Sequence, residues 1–148
     1  MVEVRFTAAS LRIIGEDLNV EEITSLLEVA PHRAMNKGDV EERPNGQKVV
    51  SRTGIWSRKV DRSSPANLDA QIAELLEPLP QNLSVWQLLT KRFRTEVFCG
   101  AFMLEGNEGL GLNPETLLAL GSRGIALELD IYGPERTDYI APLPHEFN

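Results

Sequence analysis

The chain is poor in the residues that most often carry chemistry. It has one cysteine, Cys99, and two histidines, His32 and His145. A single cysteine excludes an intramolecular disulfide and a thiolate zinc centre. Cys99 sits in the apolar run FCGAF and reads as a small buried hydrophobe. To act as a nucleophile it would need one of the two histidines as a base. The histidines cannot make a metal site alone, and no H-E-x-x-H or clustered Asp/Glu/His spacing accompanies them. There is no G-x-S-x-G and no defensible Ser/His/Asp order. No catalytic residue, metal or cofactor is therefore expected. Aromatics make up only 6% of the chain. The basic residues Arg43, Lys48, Arg52, Arg58, Lys59 and Arg62, and the cluster Lys91, Arg92, Arg94, lack the interleaved aromatics of a base-stacking surface. The net charge of −7 also repels phosphate backbones, so nucleic acid is not an expected partner. No apolar run reaches the length of a signal peptide or a membrane span. A cytoplasmic location without membrane contact is the expectation.

What is present is ordinary globular composition, 42% apolar and 25% charged. A chain of 148 residues favours one domain and buries about 68–70% of its unfolded surface. The pattern places that domain at 1–132 and a Pro-containing tail at 133–148. A strand–loop–capped helix pattern occurs twice. The first strand, 4–14, alternates through Val4, Phe6 and Ala8, then through Leu11 and Ile13. The phase change near Ala9–Ser10 predicts a bulge or bend. Asn19 is a helix cap with Glu22 in capping-box position, followed by the stripe Val20, Ile23, Leu26, Leu27. Asp17, Glu21 and Glu22 suit the positive end of that helix. The second copy runs from a strand at 96–104 through a Gly-rich loop to Asn113, a cap with Pro114 at the first helical position. Leu117, Leu118 and Leu120 are expected to face inward. A strand at 125–132 then alternates Ile125, Leu127, Leu129 and Ile131 with Ala126, Glu128, Asp130 and Tyr132, as in an antiparallel sheet with one solvated side.

Between the copies, 31–47 is a polar, breaker-rich connection long enough to be functional. Residues 48–60 are β, either one strand bent at Gly54 or a hairpin turning at Thr53–Gly54. Thr-Gly is a poor two-residue turn, which favours the bent strand. Asn67 caps a helix through Leu68, Ile72, Leu75, Leu76 and Leu79. Ser84 with Gln87 opens another, carrying Trp86. The expected class is α+β, an antiparallel sheet with helices on one face. Its order would be ferredoxin-like (split β-α-β), with a helical insertion between the two β-α-β halves. Both Trp56 and Trp86 lie among periodic apolar residues and should be buried.

Several of these elements together resemble a bacterial family known only as domain of unknown function 4279, over most of residues 8–132. The resemblance rests on the S-L-R-I-I-G strand and its helix, on Lys37-Gly38-Asp39, and on Thr53-Gly54-Ile55-Trp56. It also rests on L-x-x-Q-I-x-x-L-L from Leu68, and on the closing L-x-x-L-x-x-x-G-I-x-L-x-L-D-I-Y. It implies the extent of the domain and a bacterial origin, and it brings no reaction, ligand or catalytic residue.

Of the remaining constellations, His32, Arg33, Lys37 and Asp39 are the best site candidate. Arg33 suits paired hydrogen bonds to a carboxylate or phosphate. Trp56, on the strand after this loop, would form one wall, or else a core anchor. The competing reading is a solvated loop whose charges pair with Glu41 and Glu42. Glu128 and Asp130 share one strand face and act as an acid/base pair only if burial separates them. Gly106, Gly109 and Gly111 have the wrong spacing for a phosphate loop, beside Glu105 and Glu108. The sequence thus favours a non-enzymatic protein-interaction module, with antitoxin-like immunity as one concrete version by analogy. The alternative is a small anionic-ligand binding protein or enzyme using the 31–39 loop and Trp56. Self-association into a homodimer through an open sheet edge is a third option.

Overall fold

A first strand that is apolar on both faces sets the layout. In the computed structural model, which describes residues 4–134, β1 (Phe6–Gly15) pairs antiparallel with β6 (Arg94–Phe102). The register runs unbroken from Phe6↔Phe102 to Ile14↔Arg94. The expected bulge at Ala9–Ser10 is absent. The phase change is a change of face: Leu11 and Ile13 are fully buried beneath the helices. Phe6 points to the opposite face, where its ring stacks on Phe102 at 4.3 Å.

The other elements follow in order: α1 (Val20–Leu27), β2 (Arg33–Met35), β3 (Val40–Glu42), β4 (Lys48–Val50), β5 (Gly54–Lys59), α2 (Leu68–Leu76), α3 (Leu83–Arg92), α4 (Pro114–Arg123) after β6, and β7 (Ala126–Tyr132). Five strands form one sheet in the order β2-β5-β1-β6-β7, and β3 with β4 forms a separate two-stranded sheet. The strands at 6–15 and 126–132 share the main sheet, as expected. The sheet is mixed rather than antiparallel, because β6 and β7 run parallel. Helix α4 is the reason: a crossover helix returns the chain to the end from which β6 started. The ferredoxin-like order is not confirmed. Both β1 and β2 run antiparallel to β5, which lies between them, so β1-α1-β2 is the split unit. The second unit, β6-α4-β7, has adjacent strands. The pair α2 and α3 does lie between the two units.

Residues 48–60 are neither one bent strand nor a hairpin. They divide into β4, in the small sheet, and β5, in the main one. Gly54 opens β5 where the backbone presses on the β1–α1 turn. A Cβ there would lie 2.8 Å from both the Gly15 carbonyl oxygen and Leu18 Cβ. The 31–47 connection likewise carries β2 and β3.

Four helices cover the face that bears Ala9, Leu11, Ile13, Trp56, Val97 and Cys99, and one hydrophobic cluster joins these to Ile23, Leu27, Leu68, Ile72, Leu75, Trp86, Leu89 and Leu120. Both tryptophans are fully buried, as expected. Their indole N–H groups donate to Thr24 Oγ1 at 3.0 Å and to the Pro80 carbonyl at 2.8 Å. A buried polar tie joins sheet to helix: Gln71 Nε2 donates to the Thr7 carbonyl at 2.9 Å, and Thr7 Oγ1 donates to Gln71 Oε1 at 2.6 Å. Asn19 and Asn67 cap α1 and α2, accepting from Glu22 N and Ala70 N. Helix α3 is capped by Asn82 through Ser84 N, not by the expected Ser84–Gln87 box. Asn113 gives α4 no side-chain cap. Asp69 of α2 instead accepts from Asn113 N and Thr116 Oγ1. On α4 only Leu120 is buried. Leu117 and Leu118 face solvent, against expectation. Of the expected tail, 135–148 and with it His145 lie outside the described residues.

Candidate functional site

Helix α1 ends at Leu27, where Glu28 adopts a left-handed conformation and its N–H donates to the Thr24 carbonyl, and past Pro31 the chain turns back as β2. His32 N donates to the Ser57 carbonyl, and His32 Nδ1 accepts from Lys59 N at 2.9 Å, which leaves Nε2 to carry the imidazole proton. Three of the five expected site residues, His32, Arg33 and Asp39, come together around one open depression of about 570 Å³, with Ala34, Met35, Val40 and Glu41. Lys37 and Trp56 do not line it. Lys37 Nζ reaches Glu16 at 3.8 Å, toward the β1–α1 turn. Trp56 is buried on the helix side of β5.

The charges at this depression are largely committed to one another. Arg33 pairs with Glu41 at 3.3 Å. Asp39 Oδ2 accepts from Asn36 N at 2.8 Å, and Asn36 Oδ1 accepts from Val20 N at 2.9 Å. Arg58 donates to the Ala30 carbonyl. Two carboxylates therefore share the depression with one guanidinium, which weakens its pull on an anion. Val40, at the rim of the depression, faces Val50 across the β3–β4 sheet, and both are exposed.

The opposite edge of the sheet is β7, which the sequence reading assigned to the core on one side and to solvent on the other. The structure leaves both sides open over its second half. Leu129 is 44% exposed and Ile131 60% exposed. Leu127 packs against the core, but helix α4 covers only the start of the strand. Glu128 and Asp130 are exposed on the other face, where Tyr132 Oη donates to Asp130 Oδ2 at 2.6 Å. The signal for this edge in the sequence is the regular alternation of acidic with apolar residues over 127–131.

Sequence reasoning also missed a buried carboxylate on the face away from the helices. Glu96 is only 3% exposed and is held by Arg12 at 3.0 Å and Arg94 at 3.7 Å, with Arg12 stacked over Phe98. This is a clamp between β1 and β6, where burial demands such pairing. Cys99 is buried, and desolvation pushes its thiol up to about 12, which makes it inert. In the glycine loop Glu108 accepts from Leu104 N and Glu105 N, so an acid fills the place a phosphate would take. A second depression of about 410 Å³ lies between Ser63–Asp69 and Gly109–Gly111. Asn67 and Asp69 there are occupied as helix caps. Among the described residues, no group of His, Cys, Asp and Glu could hold a metal ion, and no helix is long and apolar enough to cross a membrane.

Comparison with curated proteins and with solved structures returns no match. The family model described as Domain of unknown function (DUF4279) matches residues 3–134, nearly the whole of the described fold, and the chain belongs to that family.

Proposed function

We propose that the chain is a non-enzymatic protein-interaction module. The carrying observation is the exposure of Leu129 and Ile131 on β7, with Leu117 and Leu118 on α4 at 53% and 71%. Apolar side chains this open, on the strand and helix of one β-α-β unit, favour association. The reading places the module in the bacterial cytoplasm as a domain over 1–132, and antitoxin-like binding of a toxin is one form it could take. The test is a photo-cross-linking residue at Leu129, with a second at Lys48 as a control on the far side of the sheet. The captured protein is then purified and titrated against the parent chain. Saturable binding by the purified pair, with capture from position 129, is expected. Capture of nothing that binds the purified chain contradicts the reading.

A second reading keeps one observation in its favour: His32, Arg33 and Asp39 line a common depression. A small anion would bind there through Arg33 once Glu41 is displaced. The double change Arg33→Ala, Lys37→Ala leaves the fold intact in this reading and abolishes any melting-temperature shift produced by phosphate or small carboxylates. An unchanged shift in the double variant would remove the site.

A further inference from the structure

The backbone of β7 says how a partner would dock. Tyr132 O accepts from Met103 N at 2.9 Å, so the carbonyl of Tyr132 points toward β6. Peptide groups alternate along a strand, so the N–H and C=O of Leu127, Leu129 and Ile131 point outward, away from β6. Among the described residues β7 pairs with β6 alone. Several protections of a sheet edge are missing, since β7 has seven residues with no Lys, no Pro and no bulge, and the charge it does carry, on Glu128 and Asp130, is all acidic.

We infer that β7 accepts an extended segment of a partner protein as a sixth strand of the sheet, and that this segment alternates apolar with basic residues. The inference rests on the interaction-module reading and names the partner's chemistry. The apolar positions would lie beside Leu129 and Ile131 on the helix face. The basic ones would lie beside Glu128 and Asp130 on the other. Charge is what selects this occupant over a second copy of the chain. In every antiparallel β7–β7 pairing that matches apolar face to apolar face and overlaps five or more of the strand's residues, acid opposes acid. A two-fold axis at Leu129 sets Glu128 against Asp130 of the other copy, and an axis at either acid sets it against itself. Like charges directly opposite destabilise a strand pair.

The test uses the full chain and two blocked peptides of about seven residues. One alternates valine with lysine, and its twin alternates valine with glutamate. The readout is NMR-detected amide exchange at Leu127, Leu129 and Ile131. The lysine peptide should slow exchange about tenfold when present at ten times its dissociation constant, and the glutamate peptide should not. In the double variant Glu128→Lys, Asp130→Lys the preference should reverse. Leu129→Pro removes an outward N–H without touching the β6 ladder and should weaken the lysine peptide. Four results overturn the inference: no protection by the lysine peptide, equal protection by both peptides, protection that grows with protein concentration alone (a second copy), or protection already complete at every concentration (the rest of the same chain). The protein captured by cross-linking separates the two proposals. If it binds without protecting β7, edge docking fails and the module reading stands. If no protein binds, the module reading fails, and the peptides still judge the edge.

Discussion

The sheet ends in two edges that treat their hydrogen bonds and charges differently. At the β2 edge three residues pair with β5, and the chain then folds over into the β3–β4 sheet. The stretch 31–62 carries eight Lys and Arg against four Asp and Glu in a chain of net charge −7. Much of that positive charge is nonetheless spent locally: Arg33 on Glu41, Lys37 on Glu16, Arg58 on a carbonyl. At the β7 edge the outward backbone groups of Leu127, Leu129 and Ile131 have no strand partner among the described residues, with acids on one face and two exposed aliphatics on the other. Charge density alone would have pointed to the first edge. Pairing and exposure point to the second, because a group already partnered has little left to offer a ligand.

The largest effect is expected behind the β2 edge. Trp56→Ala should cost about 3–5 kcal/mol in urea denaturation, because the indole is fully buried against α1. A variant as stable as the parent would break the claim that this edge rests on the core. Ile131→Lys should behave in the opposite way. It should change stability by no more than about 0.5 kcal/mol, as a surface substitution, and weaken the captured partner by roughly tenfold or more. An equal loss of stability and binding would mean that β7 is structural rather than free.

Cys99 separates the core strands from both edges. Its folded thiol is raised from 9.0 to about 12 by burial. The folded state thus favours the neutral thiol. Its contribution to stability is full below pH 9.0 and is lost as pH rises from there toward about 12. Cys99→Ala should flatten this alkaline fall in thermal melts. The smallest effect belongs to the exposed Arg33–Glu41 pair. Glu41→Gln should cost at most about 1 kcal/mol, yet it frees Arg33. If phosphate then perturbs the His32 and Arg33 resonances where it did not before, the charges at the β2 edge were indeed committed to each other.

Much of the fold was legible in the sequence, for local reasons. Asn19 and Asn67 cap helices because their side chains reach the amide three residues on, and that signature is written in a few adjacent residues. Trp56 and Trp86 sit in periodic apolar runs, and their burial followed. The direction of β7 was not legible, because alternation reads the same in parallel and antiparallel strands. The division of 48–60 was hidden because it depends on the close approach of Gly54 to Gly15 and Leu18, a contact distant in sequence. Leu117 and Leu118 misled because a helical stripe says which residues share a face, not whether anything covers it. The candidate site was half legible. His32, Arg33 and Asp39 do converge, but the sequence could not tell that Trp56 points to the other side of its strand.

The most direct test of the account compares amide exchange at the two edges of the full chain, with and without the cross-linked partner in purified form. Exchange at Leu127, Leu129 and Ile131 should slow on binding while that at Arg33 and Met35 does not change. Protection at Arg33 and Met35 with none on β7 would contradict docking at β7.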